Sequence, residues 1–252
     1  MSRPGGLGEV VGAWLRFVAE VVRCLFVGPR FWIETLRTMD VLMRRCLIPV
    51  GLAVAPVSAV ISLQGVAVFR MFGAEGLLSS MLATATFRQY SPALASVMVA
   101  AQAGSSIAAR IGTMQVRGQI DALAVMSVDP IRYVVVPGFV ACLVITPLLN
   151  VLTTALGLAS GWLFAVPLAG VNTGAFTDNL YSQVTIVDLW IGLGKCTLFG
   201  GAVGLIAGFL GLRTRGGAAG VGRAANNTVV YTIILILVID YLVSLVLVAV
   251  GV

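Results

Sequence analysis

The sequence predicts an all-α integral membrane protein with five transmembrane helices and interfacial helices at its N-terminus. Three observations carry that reading. Of 252 residues, 59% are hydrophobic and only 10% are charged, against roughly 25% charged in soluble domains. Mean hydropathy is +1.04. The apolar residues also gather into runs near the ~20 residues needed to cross a hydrocarbon core of ~30 Å. The expected organisation is one membrane domain over residues 1–252, with no room for a separate soluble enzyme domain.

Residues 1–45 do not read as a span. Val10, Val11, Trp14, Phe17, Val18, Val21, Val22, Leu25 and Phe26 mark one helical face. Arg16, Arg23, Arg30, Arg37 and Arg44 recur every seven residues, and Gly28-Pro29 breaks the run into two helices. That break, and the lack of acidic partners, disfavour a coiled coil. Two interfacial helices fit better, with the apolar face in lipid and the arginines at the phosphates. The expected spans are about 46–69, 91–109, 133–157, 189–212 and 227–250. Small residues dominate the second of these. The fourth carries Gly192, Cys196, Gly200, Gly204 and Gly208 at four-residue spacing. Such a stripe lets another helix approach closely, within the chain or across a dimer.

The loop 110–132 interrupts two apolar runs. Ile111, Met114, Ile120, Leu123 and Met126 recur at roughly helical spacing, with Gln115, Arg117, Gln119 and Asp121 between them. Asp129-Pro130 ends any helix, because proline disfavours the α conformation at the residue before it. A short amphipathic helix here can lie on lipid or dock into a partner. A solvated connector is the alternative.

Arginines cluster in 1–45, in 110–132 (Arg110, Arg117, Arg132) and in the loop after span four (Arg213, Arg215, Arg223). The segment 70–90 holds only Arg70 and Arg88, and 167–188 holds none. Positive residues accumulate on the cytoplasmic side. The expected topology therefore has a cytoplasmic N-terminus and an outward-facing C-terminus. The net charge of +6 is a topology signal. A nucleic-acid partner would need a soluble basic face, and the expected fold has none.

Several chemistries are disfavoured. Histidine is absent, which removes the commonest general base and metal ligand. Cys24, Cys46, Cys142 and Cys196 lack any C-x-x-C spacing and read as small buried hydrophobes, so no metal site is expected. The run GLGKCT (192–197) is a false lead for a phosphate-binding loop. Leu189 stands where that motif needs its first glycine, and Cys196 where it needs Ser or Thr. No cofactor is expected in this chain; ATP, if used, belongs to a partner subunit.

Two charges fall inside spans. Lys195 and Asp240 lie at similar depth on consecutive antiparallel spans. A charge so placed costs on the order of 3 kcal/mol, so such residues pair or line a wet cavity. A structural ion pair and a polar point in a substrate path are both compatible with the sequence. Arg88 and Gln89, at the outer entry of span two, are further candidates, or interfacial snorkellers.

With these residues assembled, the sequence resembles the MlaE/YrbE permease family, the membrane subunits of ABC-type lipid transporters that work with MCE-domain proteins. The matching pieces are LQG (63–65), FGAE (72–75), SPALASVMVA (91–100), GTMQVRGQIDAL (112–123), VDPIRYVVVP (128–137), KCTLFG (195–200), GLRTRGGAAGVGRAANNTVV (211–230) and the span holding Asp240. The resemblance implies a permease dimer, homomeric or heteromeric, in a bacterial inner membrane. Its N-terminus would be cytoplasmic and its C-terminus periplasmic. It implies an ATPase contacted through Met114, Arg117, Ile120, Asp121, Leu123 and Met126, and an MCE-domain protein on the outer face. It implies a phospholipid held near Ile61, Val68, Phe69, Phe72, Arg88, Gln89 and Tyr90. The family's intramembrane charges coincide with Lys195 and Asp240. The chain departs from the family where Ala100-Ala101-Gln102-Ala103-Gly104 replaces A-G-R-x-G. Gln89, Arg110 and Gly118 also stand where glutamate is usual.

A secondary transporter or channel using Lys195 and Asp240 as an ion relay is the alternative from a different class. It expects inverted repeats, and five spans do not divide into equal halves. A membrane scaffold that transports nothing is the third.

Overall fold

The computed structural model describes residues 7–26 and 32–250. The described residues form helices and short connections, with no strand among them. Helix α1 is Leu7–Phe26 and α2 is Trp32–Met71. Helix α3, Leu78–Val116, contains π turns at Thr86–Tyr90 and Ala100–Gly104. Helix α4 is the short Gln119–Val125. Helix α5, Ile131–Leu168, begins and ends in π turns. Helix α6 is Thr173–Gln183, α7 is Ile186–Leu212 and α8 is Gly217–Val250. Five of these are long and apolar enough to cross a membrane: α2, α3, α5, α7 and α8.

The spans sit where the hydrophobic runs place them, but the helices extend further. Of the two interfacial helices expected before residue 46, the second is not separate from the first span. Residues 32–45 are the first turns of the 40-residue α2. No breaker lies between Trp32 and Pro49, and an Arg44–Asp40 pair one turn apart (2.9 Å) supports the helix there. Pro49 and Pro56 lie inside α2 without ending it; neighbouring helices can satisfy the freed backbone groups in a membrane. The Gly28-Pro29 break lies outside the described residues.

Helix α1 stays outside the spans. It buries Phe17 and Val21, one turn apart, and leaves Val11, Leu15 and Val22 exposed. The Phe17 ring meets Phe209 of α7 at 5.5 Å, and Arg213 covers the Phe209 ring at 4.4 Å. Near its end, the Cys24 thiol donates to Asp129 (3.4 Å). Burial first, then that hydrogen bond, push the thiol above its ordinary value, so it stays a protonated donor.

Helices α5 and α7 form the centre. The small-residue stripe of α7 packs within the chain, against α5 and the first π turn of α3. A Cβ added at Gly200 would lie 2.5 Å from the Cys142 carbonyl oxygen, and one at Gly204 would lie 2.7 Å from Phe139 Cα. At Gly192 it would lie 2.8 Å from the Phe87 carbonyl. Backbone cannot yield there as a side-chain tip can, so the stripe sets the interhelical distance. Along α2, Ser58 and Ser62 donate to the Gly157 and Gly161 carbonyls of α5 (2.5 and 2.9 Å). Ser91 of α3 meets Asn150, Thr153 and Thr154 of α5 within 2.6–2.9 Å. Hydroxyls thus join helices that have no hydrophobic drive to associate in lipid.

Helix α8 is peripheral. It buries one narrow stripe, Ala224, Thr228, Thr232, Ile236 and Asp240, at four-residue spacing. Its other faces expose Ile234, Leu237, Tyr241, Leu242 and Leu245. At the far end from α1, α6 caps a second small core. Asn172 caps its first turn by accepting from Gly174 and Ala175 (2.9 and 3.3 Å). Phe176 packs there with Val66, Leu78, Leu82 and Ala165.

Candidate functional site

Three places bear on function: a polar network inside the spans, the segment around α4, and the apolar end of α2 and α3.

The network joins α3, α7 and α8. Lys195 Nζ donates to Asp240 Oδ1 at 2.9 Å, with side-chain exposures of 2% and 9%. The pair is therefore taken out of solvent. The ammonium also meets Ser244 Oγ (2.9 Å), the Arg88 carbonyl (3.0 Å) and Gln89 Oε1 (3.4 Å). Gln89 Nε2 donates to the other Asp240 oxygen at 2.6 Å. Arg88 points elsewhere, to Asp188 at 2.5 Å. Asp188 in turn accepts from the backbone and hydroxyl of Thr185 (3.0 and 2.7 Å) in a capping box that starts α7. The π turn Thr86–Tyr90 presents both Arg88 and Gln89 to these partners, a common use of π turns.

Charge balance accounts for Gln89. Lys195 neutralises Asp240, and Arg88 neutralises Asp188. A glutamate at 89 would add a second carboxylate beside Asp240 with no further cation in contact. An amide instead donates to the carboxylate and accepts from the ammonium. Asp188 and Ser244 were not singled out in the sequence, yet both carry signals. Thr185-x-x-Asp188 is a capping-box pattern, and Ser244 lies one turn from Asp240. Beside Lys195, an open groove of about 520 Å³ runs between Trp190, Ile191, Leu198, Val243 and Leu247.

The amphipathic segment is not one helix. Its first part is the end of α3. Gly118 then breaks the chain in a left-handed conformation (φ +70°), which a residue with a side chain adopts only under strain. α4 follows. Ile111 and Ile120 are buried, and Met114 and Leu123 pack partly against the main core. The outward surface includes Arg117, Asp121, Val125 and Met126, the last two 86% and 72% exposed. Val125 is the residue the spacing missed, because the stripe through 120 and 123 turns inward.

The seven residues grouped where α2 ends and α3 begins separate into different environments. Val68 and Phe72 are exposed, with Met71, Leu77 and Met81 beside them in sequence and equally exposed. Ile61 and Phe69 pack partly against the small core under α6. Arg88 and Gln89 belong to the polar network. The Tyr90 hydroxyl donates to Ser58 (3.0 Å) and lies 2.6 Å from that of Thr86, so it joins α3 to α2.

Among the described residues no group of three His, Cys, Asp or Glu is placed to hold a metal ion.

Comparison with known proteins agrees with this architecture. Residues 35–246 match the family model described as permease MlaE. A probable ABC transporter permease protein of Rickettsia typhi is 36% identical over 186 residues, covering 74% of this chain and 72% of that protein. One from Synechocystis is 32% identical over 201 residues, covering 78% and 76%. The intermembrane phospholipid transport system permease protein MlaE of Haemophilus influenzae is 31% identical over 216 residues, covering 85% and 83%.

Proposed function

The chain belongs to the MlaE permease family, and on that premise we propose that it is the transmembrane subunit of an ATP-driven phospholipid transporter. The observation that carries the proposal is the division of the molecule's surface. One end exposes a wide apolar wall, Val68, Met71, Phe72, Leu77 and Met81, suited to acyl chains. The other end projects α4 with Val125 and Met126 exposed on a short element, suited to a groove in a soluble partner. An ion path would instead need a continuous polar lining, and the buried charges of α7 and α8 are mutually neutralised.

In this reading the arginine-rich end, with α1, α4 and the start of α2, is cytoplasmic. α4 meets a separate ATPase chain that binds the nucleotide. The α6 end is periplasmic and faces an MCE-domain protein. Two permease protomers, homomeric or heteromeric, enclose the lipid. The exposed apolar faces of α8 are available for that contact.

Gentle isolation of the full chain from native bacterial inner membranes tests the proposal. An ATPase chain and phospholipid are expected to co-isolate with it. A permease that purifies alone, retains no lipid and conducts ions in vesicles would establish the relay reading instead.

A further inference from the structure

A pocket of about 220 Å³ between α2 and α3, at the arginine-rich end, has no part in the function proposed above. It is lined by Glu34, Arg37, Thr38 and Arg45 of α2 and by Ser106 and Arg110 of α3. Positions 34, 38, 41 and 45 share one helical face, as do 106 and 110. Three arginines against one glutamate leave two positive charges uncompensated. Arg110 meets Glu34 only at 4.0 Å. Arg45 has one donor on Ser106 (2.9 Å), of the five a guanidinium offers. Arg37 has no ion-pair partner among the described residues. Thr38, on the same wall, is 7% exposed, and its hydroxyl oxygen is buried without a hydrogen-bond partner. That oxygen is sealed from the pocket, so the unmet donors that face a ligand are the arginine guanidiniums, whose remaining N–H groups lack an acceptor.

The pocket's level decides what that acceptor is. The apolar run of α2 begins at Cys46, directly after Arg45, and that of α3 ends at Ala109, directly before Arg110. The arginines therefore stand where both spans leave the hydrocarbon, at headgroup depth. Below Arg45, Ile48 and Leu52 continue down one face of α2, one turn apart, and are exposed at 67% and 71%. Phosphate donors therefore stand above an apolar track. Basic pockets between spans at this level suit anionic headgroups.

We propose that this pocket binds the phosphate of an anionic glycerophospholipid, with an acyl chain along Ile48 and Leu52. The uncompensated charge selects a headgroup of net negative charge over a zwitterionic one. The site lies at the opposite end of the spans from the apolar wall at Phe72, so it is a second lipid site.

Native mass spectrometry of the full chain in its complex, loaded with equal dioleoyl phosphatidylglycerol and dioleoyl phosphatidylcholine, tests this. The wild type is expected to retain phosphatidylglycerol preferentially, by about 25-fold for two uncompensated arginines. Arg37→Gln, at an exposed position, is expected to reduce the preference about fivefold, and Arg37→Lys to keep most of it. Arg16→Gln with Arg23→Gln, exposed on α1, should change nothing. Equal retention of both lipids, or equal losses from the α1 and α2 variants, would overturn the site. Displacement of the lipid by inorganic phosphate at the same concentration would show a soluble-anion site and overturn the lipid assignment.

Discussion

Lys195→Met is expected to be the most damaging single change in the spans, worse than Asp240→Asn, and the double variant is expected to be milder than Lys195→Met. The contacts set this order. When Asp240 becomes neutral, the Lys195 ammonium keeps the Arg88 carbonyl, Gln89 Oε1 and Ser244 Oγ as acceptors. When Lys195 is removed, the Asp240 carboxylate keeps only the Gln89 amide as a side-chain donor among the described residues. Breaking a buried pair from one side costs about 3–5 kcal/mol, largely because the remaining charge is uncompensated. Removing both leaves no charge to strand. The measurement is a double-mutant cycle on the yield of folded permease and on lipid transport. Strictly additive losses would mean that the two residues do not act as a pair.

Replacing Val125 and Met126 together by aspartate is expected to release the ATPase while the permease still inserts and folds. Both side chains face outward, so charge on them disturbs nothing inside the molecule. Charged residues in the apolar centre of an interface cost about 2–4 kcal/mol, a loss of roughly 30-fold or more in affinity. Leu123→Asp should behave differently. Leu123 packs partly on the core, so the substitution should lower the amount of folded permease itself. Co-purification of the ATPase with each variant, normalised to permease, separates the two. Full retention of the ATPase on the Val125/Met126 variant would remove α4 from the coupling contact.

Some of this organisation could be read directly from residues. The spans were legible because apolar runs must match the bilayer, and each apolar run lies within a long helix. The Lys195–Asp240 contact was legible because intramembrane charges at equal depth find each other. The glycine stripe announced close packing but not its partner; the Cys142 and Phe139 backbone supplies it. Other features depended on tertiary context. Spacing alone joined Met114 to Leu123 in one helix, because it cannot register that Gly118 takes a positive φ. Arg88 and Gln89 read as candidates for the polar site or as snorkelling neighbours, and only the π turn shows the two side chains going to different partners. Residues 32–45 looked interfacial because the arginines recur, yet nothing in that stretch stops the helix from entering the span.

The claim that this permease carries phospholipid is tested most directly at Phe72. A photocrosslinker placed there, in the permease extracted and washed in mild detergent, is expected to capture phospholipid that stays bound. One at Leu148, exposed on α5, should capture little once bulk lipid is washed away. Capture at Leu148 but not at Phe72 would contradict the account, because the apolar wall of α2 and α3 would then face no substrate.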